Sequence, residues 1–483
     1  MAKDSLLKSF PRTFWTANVM ELFERGAYYG MNSILAIYLT RETAAGGLGF
    51  TEESVGFLQA VIYAFTYILP ILGGALAEKL GYRRMLITSF LFLSLGYFAA
   101  GQFSSYGLVF AALAVMGFGA GLFKPIISGT IARTTNEKNS TLGFGIYYWM
   151  INLGAFLGPI VVNILKRHSW RYVFYASAAY VFLMLIPALF IFRDPELSGK
   201  GASLRQTARN ALTVLGDSRF MLMVFIYSIF WILYFQNFGS ILWFMRDFVD
   251  KAPVNRLLAR LPFPVEFSEE FVTAISALTI ILFQVPISWL FKRFRAVPTM
   301  CTGMIIGTLG FLFFAFSRNP WVFILGLVVF ALGEMTAHPK YYSYVGAVAP
   351  QDRKAIYMGY AFLYGVIGAL FGSSFGASLY VRIAKSGDPR LFFLLFFALG
   401  VIGFAGLIIF DRFFSQDSPA AHRRARIFVS LIYLFLTAGG AWLVSPAFSG
   451  GEVSPKVWIQ AGILIVIGLA GLTITLRRRK IVD

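Results

Sequence analysis

Six ionisable residues stand inside long apolar runs: Glu21, Glu24, Arg25, Lys124, Glu334 and Lys340. An ionisable group in hydrocarbon costs at least ~2.5–3.5 kcal/mol on insertion scales, so each such residue marks a site of chemistry or of pairing. Their formal charges cancel, so one shared cavity could neutralise itself. Glu21 and Arg25 are one helical turn apart and share a face, and Glu24 lies close to it. Two carboxylates beside one guanidinium cannot both be satisfied by a single pair, which leaves one of them free to take up a proton. Tyr28 and Tyr29, a turn further on, offer hydroxyls to the same space. Arg25 could instead do no more than neutralise the glutamates in a packed bundle. Three charges so close together at mid-span favour proton chemistry.

These residues need a scaffold, and composition names it. The chain is 58% hydrophobic and only 13% charged, whereas a soluble domain carries about 25% charged residues. Mean hydropathy is +0.70. The solvent for most of this surface must be lipid. A net charge of +19 would suggest nucleic acid in a soluble chain. Here the bases fall in short loops between apolar runs, so the partner is the bilayer and not nucleic acid. Cys301 is the lone cysteine, which excludes an intrachain disulfide and a Cys-rich metal site. Three scattered histidines argue against a His-based one. The first apolar run is too long and too charged for a cleavable signal peptide, so none is expected.

A helix needs ~20 mostly apolar residues to cross ~30 Å of hydrocarbon. Runs of that kind lie at 13–40, 53–78, 85–101, 107–131, 141–164, 171–192, 220–245, 267–291, 298–316, 321–348, 355–381, 391–411, 427–445 and 456–476. Barrel strands would alternate over ~10 residues, which these runs do not, so the spans are helices. With the N-terminus inside, the inner segments hold about twice as many Lys and Arg as the outer ones. An even number of spans leaves both termini cytoplasmic, the basic tail at Arg477 included. The loop Lys166-Arg167-His168 runs against this rule.

The long basic segment 193–219 divides six spans from six. Lys124-Pro125 in the fourth span is echoed by Pro339-Lys340 at similar depth in the tenth, and a Gly-rich helix follows each. The expected domains are therefore 1–192, a linker at 193–219, 220–411, and an extra two-helix hairpin with a basic tail at 412–483. After the second span come Gly74, Glu78, Lys79, Gly81, Arg83 and Arg84. Their spacing resembles the cytoplasmic loop motif of the major facilitator superfamily, with Glu78 in place of the more usual Asp. Glu78, Arg83 and Arg84 can pair across a cytoplasmic gate. The fold expected is an all-α membrane protein of the major facilitator kind, 6+6 helices plus a C-terminal hairpin, 14 spans in all, with weak internal symmetry between the two sets of six.

A closer resemblance lies in the charged spans. Glu21, Glu24 and Arg25 with Tyr28, Tyr29 and Gly30 are similar to the first-span signature of proton-coupled oligopeptide transporters, except that Gly26 replaces a Phe. Gly119, Gly121, Lys124 and Pro125 resemble that family's lysine segment, with Ile126 where Asn is usual. Tyr147, Tyr148, Asn152 and Gly154 resemble its fifth-span signature. Phe230, Trp231 and Gln236 look like the seventh-span motif, but Phe235 stands where that motif has an acid. Gly333, Glu334 and Pro339 match the tenth span, which then departs at His338 and Lys340.

The resemblance implies roles at matching positions. Glu21, Glu24, Arg25 and Lys124 would couple protons. Lys124 would meet a substrate carboxylate and Glu334 a substrate ammonium, with Tyr28, Tyr29, Tyr148, Asn152, Trp231, Gln236, His338 and Lys340 lining the site. The implied function is proton-coupled import of di- or tripeptides by alternating access, in a bacterial inner membrane, by a monomer. The proton is the coupling ion and no cofactor is implied. No nucleophile motif, phosphate loop or catalytic domain points to an enzyme. Phe235, Lys340 and a His338 placed to pair with Glu334 favour a second cargo: another amphoteric or anionic, peptide-like solute.

Overall fold

The computed structural model describes residues 7–136, 139–195, 204–260, 262, 265–350, 353–448 and 453–477. Among them all regular structure is helical. Thirteen helices are long and apolar enough to span a bilayer. A fourteenth, α1 (Arg12–Thr40), has the length but carries the charged cluster. The others are α2 (Glu52–Leu80), α3 (Tyr82–Gln102), α4 (Tyr106–Arg133) and α5 (Ser140–Leu165). Next come α6 (Trp170–Phe190), α7 (Ser218–Phe238), α8 (Phe271–Phe291) and α9 (Ala296–Phe316). The rest are α10 (Pro320–Val348), α11 (Ile356–Lys385), α12 (Pro389–Phe413), α13 (Pro419–Phe448) and α14 (Pro455–Arg477). The basic tail beyond Arg477 lies outside the described residues.

Local chemistry sets the helix ends. Asn319 and Asp388 cap α10 and α12 from their side chains, each followed by a proline at the first helical position. Thr51, Ser169 and Asp217 cap α2, α6 and α7 in the same way. Gly81 turns α2 into α3 at φ +92°, a backbone angle that side chains resist. The seventh apolar run does not continue to 245 as one helix. It tightens to a 3₁₀ turn at Phe235–Phe238, breaks at Gly239, and restarts as Ser240–Phe248. The linker is not simply a loop, because Leu204–Leu215 is helical.

Helices α1–α6 pack as one half, with α1 on α5 and α3 on α4 and α6. Helices α7–α12 form the other, with α9 between α10 and α12, and α7 on α11. The halves meet along two seams, α2–α11 and α5–α8, which are equivalent under a six-plus-six repeat. The hairpin α13–α14 packs outside this core, α13 against α7. The end remote from the termini is termed distal here. At that end hydrogen bonds and ion pairs join the halves.

Candidate functional site

The first-span cluster is built by backbone contact. Gly154 and Gly158 of α5 face α1 so closely that a Cβ on Gly158 would sit 2.3 Å from the Gly26 carbonyl oxygen. A Cβ on Gly154 would sit 2.6 Å from that of Leu22. Gly26, where the resembling family has Phe, lies at this contact. The close approach walls off Glu21, Glu24 and Arg25, which are all buried. Arg25 Nε lies 3.4 Å from Glu21 Oε1, and its guanidinium also pairs with Glu24. Glu21 Oε2 and Glu24 Oε1 are buried with no hydrogen-bond partner among the described residues. One guanidinium thus serves two carboxylates and satisfies neither fully. Arg25 also lies over the Tyr28 ring at 5.2 Å and the Tyr29 ring at 6.0 Å.

Lys124 enters from α4. Its ammonium lies 4.6 Å from the centroid of the Tyr67 ring of α2 and within electrostatic range of Glu21, Glu24 and Arg25. Among the described residues it has no hydrogen bond or ion pair, so the structure does not bring it to salt-bridge distance of either glutamate. Lys124 is only partly buried. Glu334 of α10 is likewise partly exposed, and no described residue forms an ion pair or hydrogen bond with it. It lies within electrostatic range of Tyr29, Tyr148 and Tyr234. Two opposite charges, one from each half and each without a partner among the described residues, therefore lie near one tyrosine, Tyr67.

The remaining candidates separate into those near these charges and those away from them. Tyr29, Tyr148 and His338 are half-buried near them. His338 does not pair with Glu334: its Nδ1 is 3.2 Å from the Tyr227 hydroxyl, and its ring lies 5.2 Å from Trp231. Asn152 donates to the Tyr148 carbonyl at 2.9 Å. Lys340 turns away and donates to the Phe294 carbonyl at 2.7 Å, beyond the end of α8. Pro339, next to it, occupies the helix interior. Gln236 is buried, with its amide donating to the Ile232 and Gly372 carbonyls and accepting from Ser240. It ties α7 to α11. Phe235 stacks on Tyr63 of α2 with centroids 5.3 Å apart, and Phe238 sits 6.1 Å from the same ring. These rings pack the end of α7 against α2.

The gate residues do not pair with one another. Glu78 accepts from Arg133 at 2.8 Å and from Tyr82 at 2.7 Å. The Arg83 side chain donates to the Ala188 and Leu189 carbonyls at the end of α6, while its backbone N–H donates to Asp194 at 2.6 Å. Arg84 is exposed. These partners belong to the first half or the start of the linker, so the motif ties α2 to α4 and α3 to α6.

Sequence reasoning missed Tyr67 and gave Tyr147, though part of the fifth-span signature, no role. Tyr67 comes from an unmarked stretch of α2, and Tyr147 lies within electrostatic range of Glu21 and Arg25. It also missed the distal ion pairs. Those pairs account for the basic loop that breaks the charge rule, since Lys166 meets Glu270 at 2.7 Å and Arg167 meets Glu266 at 3.8 Å. Beside them Lys251 meets Glu269 at 2.6 Å. Burial pushes the Glu269 carboxyl up, but the Lys251 and Lys166 ammoniums outweigh it and hold that carboxyl below the usual range.

Comparison with known proteins agrees with this architecture. Residues 21–252 and 266–425 match the Major Facilitator Superfamily. The uncharacterized transporter YclF of Bacillus subtilis (strain 168) is 25% identical over 422 residues, which cover 73% of this chain and 85% of that one. Dipeptide and tripeptide permease A of Escherichia coli (strain K12) is 25% identical over 424 residues, 82% of this chain and 78% of the permease. The crystal structure of a POT family transporter in complex with 5-aminolevulinic acid superposes with a TM-score of 0.71 at 19% identity. It covers 84% of this chain and 99% of that one. That likeness establishes the fold. With the six-plus-six packing and the matched residues taken together, the chain is a multi-pass membrane transporter that belongs to the Major Facilitator Superfamily.

Proposed function

We propose that this transporter is a proton-coupled symporter that imports di- or tripeptides by alternating access. The observation that carries this reading is the pair of opposite charges, Lys124 and Glu334, each without a partner among the described residues and brought near Tyr67 from opposite halves. A zwitterionic peptide offers a carboxylate to the first and an ammonium to the second. The peptide permease among its relatives supports the cargo class.

Coupling follows from the scarcity of positive charge. Glu21 and Glu24 share Arg25, and Lys124 is the next cation within electrostatic range. A proton on either glutamate frees Lys124 for the cargo carboxylate. Deprotonation draws it back to the cluster. Cargo and proton are thereby linked by a coupling free energy, typically ~1–3 kcal/mol. With both termini cytoplasmic, in a bacterial inner membrane, the distally closed structure faces inward. The proposed unit is a monomer with the proton as its coupling ion.

Phe235 supports a second reading, in which the same fold carries another amphoteric or anionic peptide-like solute. With no acid at that position, coupling would rest on the first-span cluster alone. Uptake into proteoliposomes under an imposed proton gradient separates the two. Di- and tripeptides should accumulate and acidify the lumen. Accumulation of amino acids or organic anions, with peptides excluded, would replace the first reading by the second.

A further inference from the structure

We propose that the distal end is held shut by two symmetry-related latches, Glu52–Lys385 across the α2–α11 seam and Glu270–Lys166 across the α5–α8 seam, which release together when the transporter opens outward. Under the six-plus-six repeat α2 corresponds to α8 and α5 to α11. In each latch the carboxylate stands at the start of the second helix of one half. The lysine stands at the end of the fifth helix of the other. Lys385 Nζ lies 2.7 Å from Glu52 Oε1, and Lys166 Nζ lies 2.7 Å from Glu270 Oε2. Arg246 adds a second cation to Glu52 at 3.1 Å. Asn163 adds a neutral donor to Glu270 Oε1 at 2.5 Å.

The placement makes the latches reversible. Carboxylates are favoured at helix N-termini and ammoniums at helix C-termini by the aligned peptide dipoles. When the seams part, each charge keeps its own helix end and gains water. A buried pair at mid-helix would instead leave an uncompensated charge behind. The two latches differ in depth: the Glu270 side chain is fully buried, whereas Lys385 is about half exposed. Neither latch touches Lys124 or Glu334, so the inference holds whichever cargo is carried.

The test measures distal separation directly. Spin labels at Arg171→Cys and Ser386→Cys, both exposed at the distal end of opposite halves, are placed in a Cys301→Ser background. Distances are read by double electron–electron resonance in lipid nanodiscs. Glu52→Gln with Glu270→Gln should raise the long-distance population several-fold. Glu270→Lys should raise it further, and adding Lys166→Glu should bring it back. Should Glu270→Lys fail to fold, the more exposed latch gives the same reversal with Glu52→Lys and Lys385→Glu. A double-neutral variant with the parent's distance distribution would overturn the proposal, as would a charge swap that does not reverse the opening.

Discussion

Among the described residues Lys124 forms no ion pair and lies over the Tyr67 ring, although it sits within electrostatic range of three charges. A lysine this deep is costly unless an anion comes to it, and in the proposed cycle two anions compete for it. Lys124→Ala should therefore abolish gradient-driven uptake. Wild-type rates in that variant would reduce the lysine to packing. Glu334 tests the other end of the cargo. Glu334→Gln should weaken binding of a free dipeptide by about tenfold or more, because a charged hydrogen bond is worth ~1.5–3 kcal/mol. The same peptide with an acetylated N-terminus should lose little, having no ammonium to recognise. Equal losses for both would remove the amine site and favour the second cargo. The charged residues were legible because charge in an apolar run is conspicuous. Their partners were not. A sequence shows that His338 is one turn from Glu334, but not that Tyr227 takes up its ring nitrogen. Tyr67 left no signal, since one tyrosine among 23 looks like any other.

At the scale of elements, the cluster owes its burial to α5 lying directly on α1. Gly158→Val would drive a side chain into the Gly26 carbonyl, and overpacking of this kind costs about 1–3 kcal/mol. The purified variant should melt at lower temperature and lose uptake, because α1 must move to make room. Gly145→Ala on the same helix meets nothing within 4 Å and should leave both unchanged. A Gly158→Val protein with normal uptake would mean that the cluster does not need this packing. The glycines of α5 were visible in the sequence, yet their partner helix was not. The reverse held for α7. Its apolar run reads as one span to 245, and only the 3₁₀ turn at Phe235–Phe238 and the break at Gly239 show where it stops. Hydropathy does not register a break made by backbone angles. The helix Leu204–Leu215 escapes a search for apolar runs for a different reason, since only one of its faces is apolar.

Over the whole molecule, the two halves and the extra hairpin follow from span counting, since the linker's composition marks the division. What counting could not give is where the hairpin docks. It reads as a lipid-facing appendix, and most of α14 does face outward. Its first turns nevertheless reach both halves. Lys456 donates to the Ser54 hydroxyl of α2 at 2.5 Å and lies 5.3 Å from the Tyr106 ring of α4. One turn on, Gln460 donates to Ser374 of α11 at 2.5 Å. The hairpin therefore crosses the α2–α11 seam on the distal side, where the halves must part for outward opening. Each hydrogen bond across the seam adds about 0.5–1.5 kcal/mol to the closed arrangement. Lys456→Ala with Gln460→Ala should thus favour the open state and change the rate of cargo exchange by severalfold, with folding intact because neither side chain sits in the core. Counterflow of labelled cargo across proteoliposomes, measured without a gradient, reads that rate. An unchanged rate would return the hairpin to the role of a passive lipid-facing pair. A changed rate would make it a third restraint on the distal end, beside the ion pairs of the two seams.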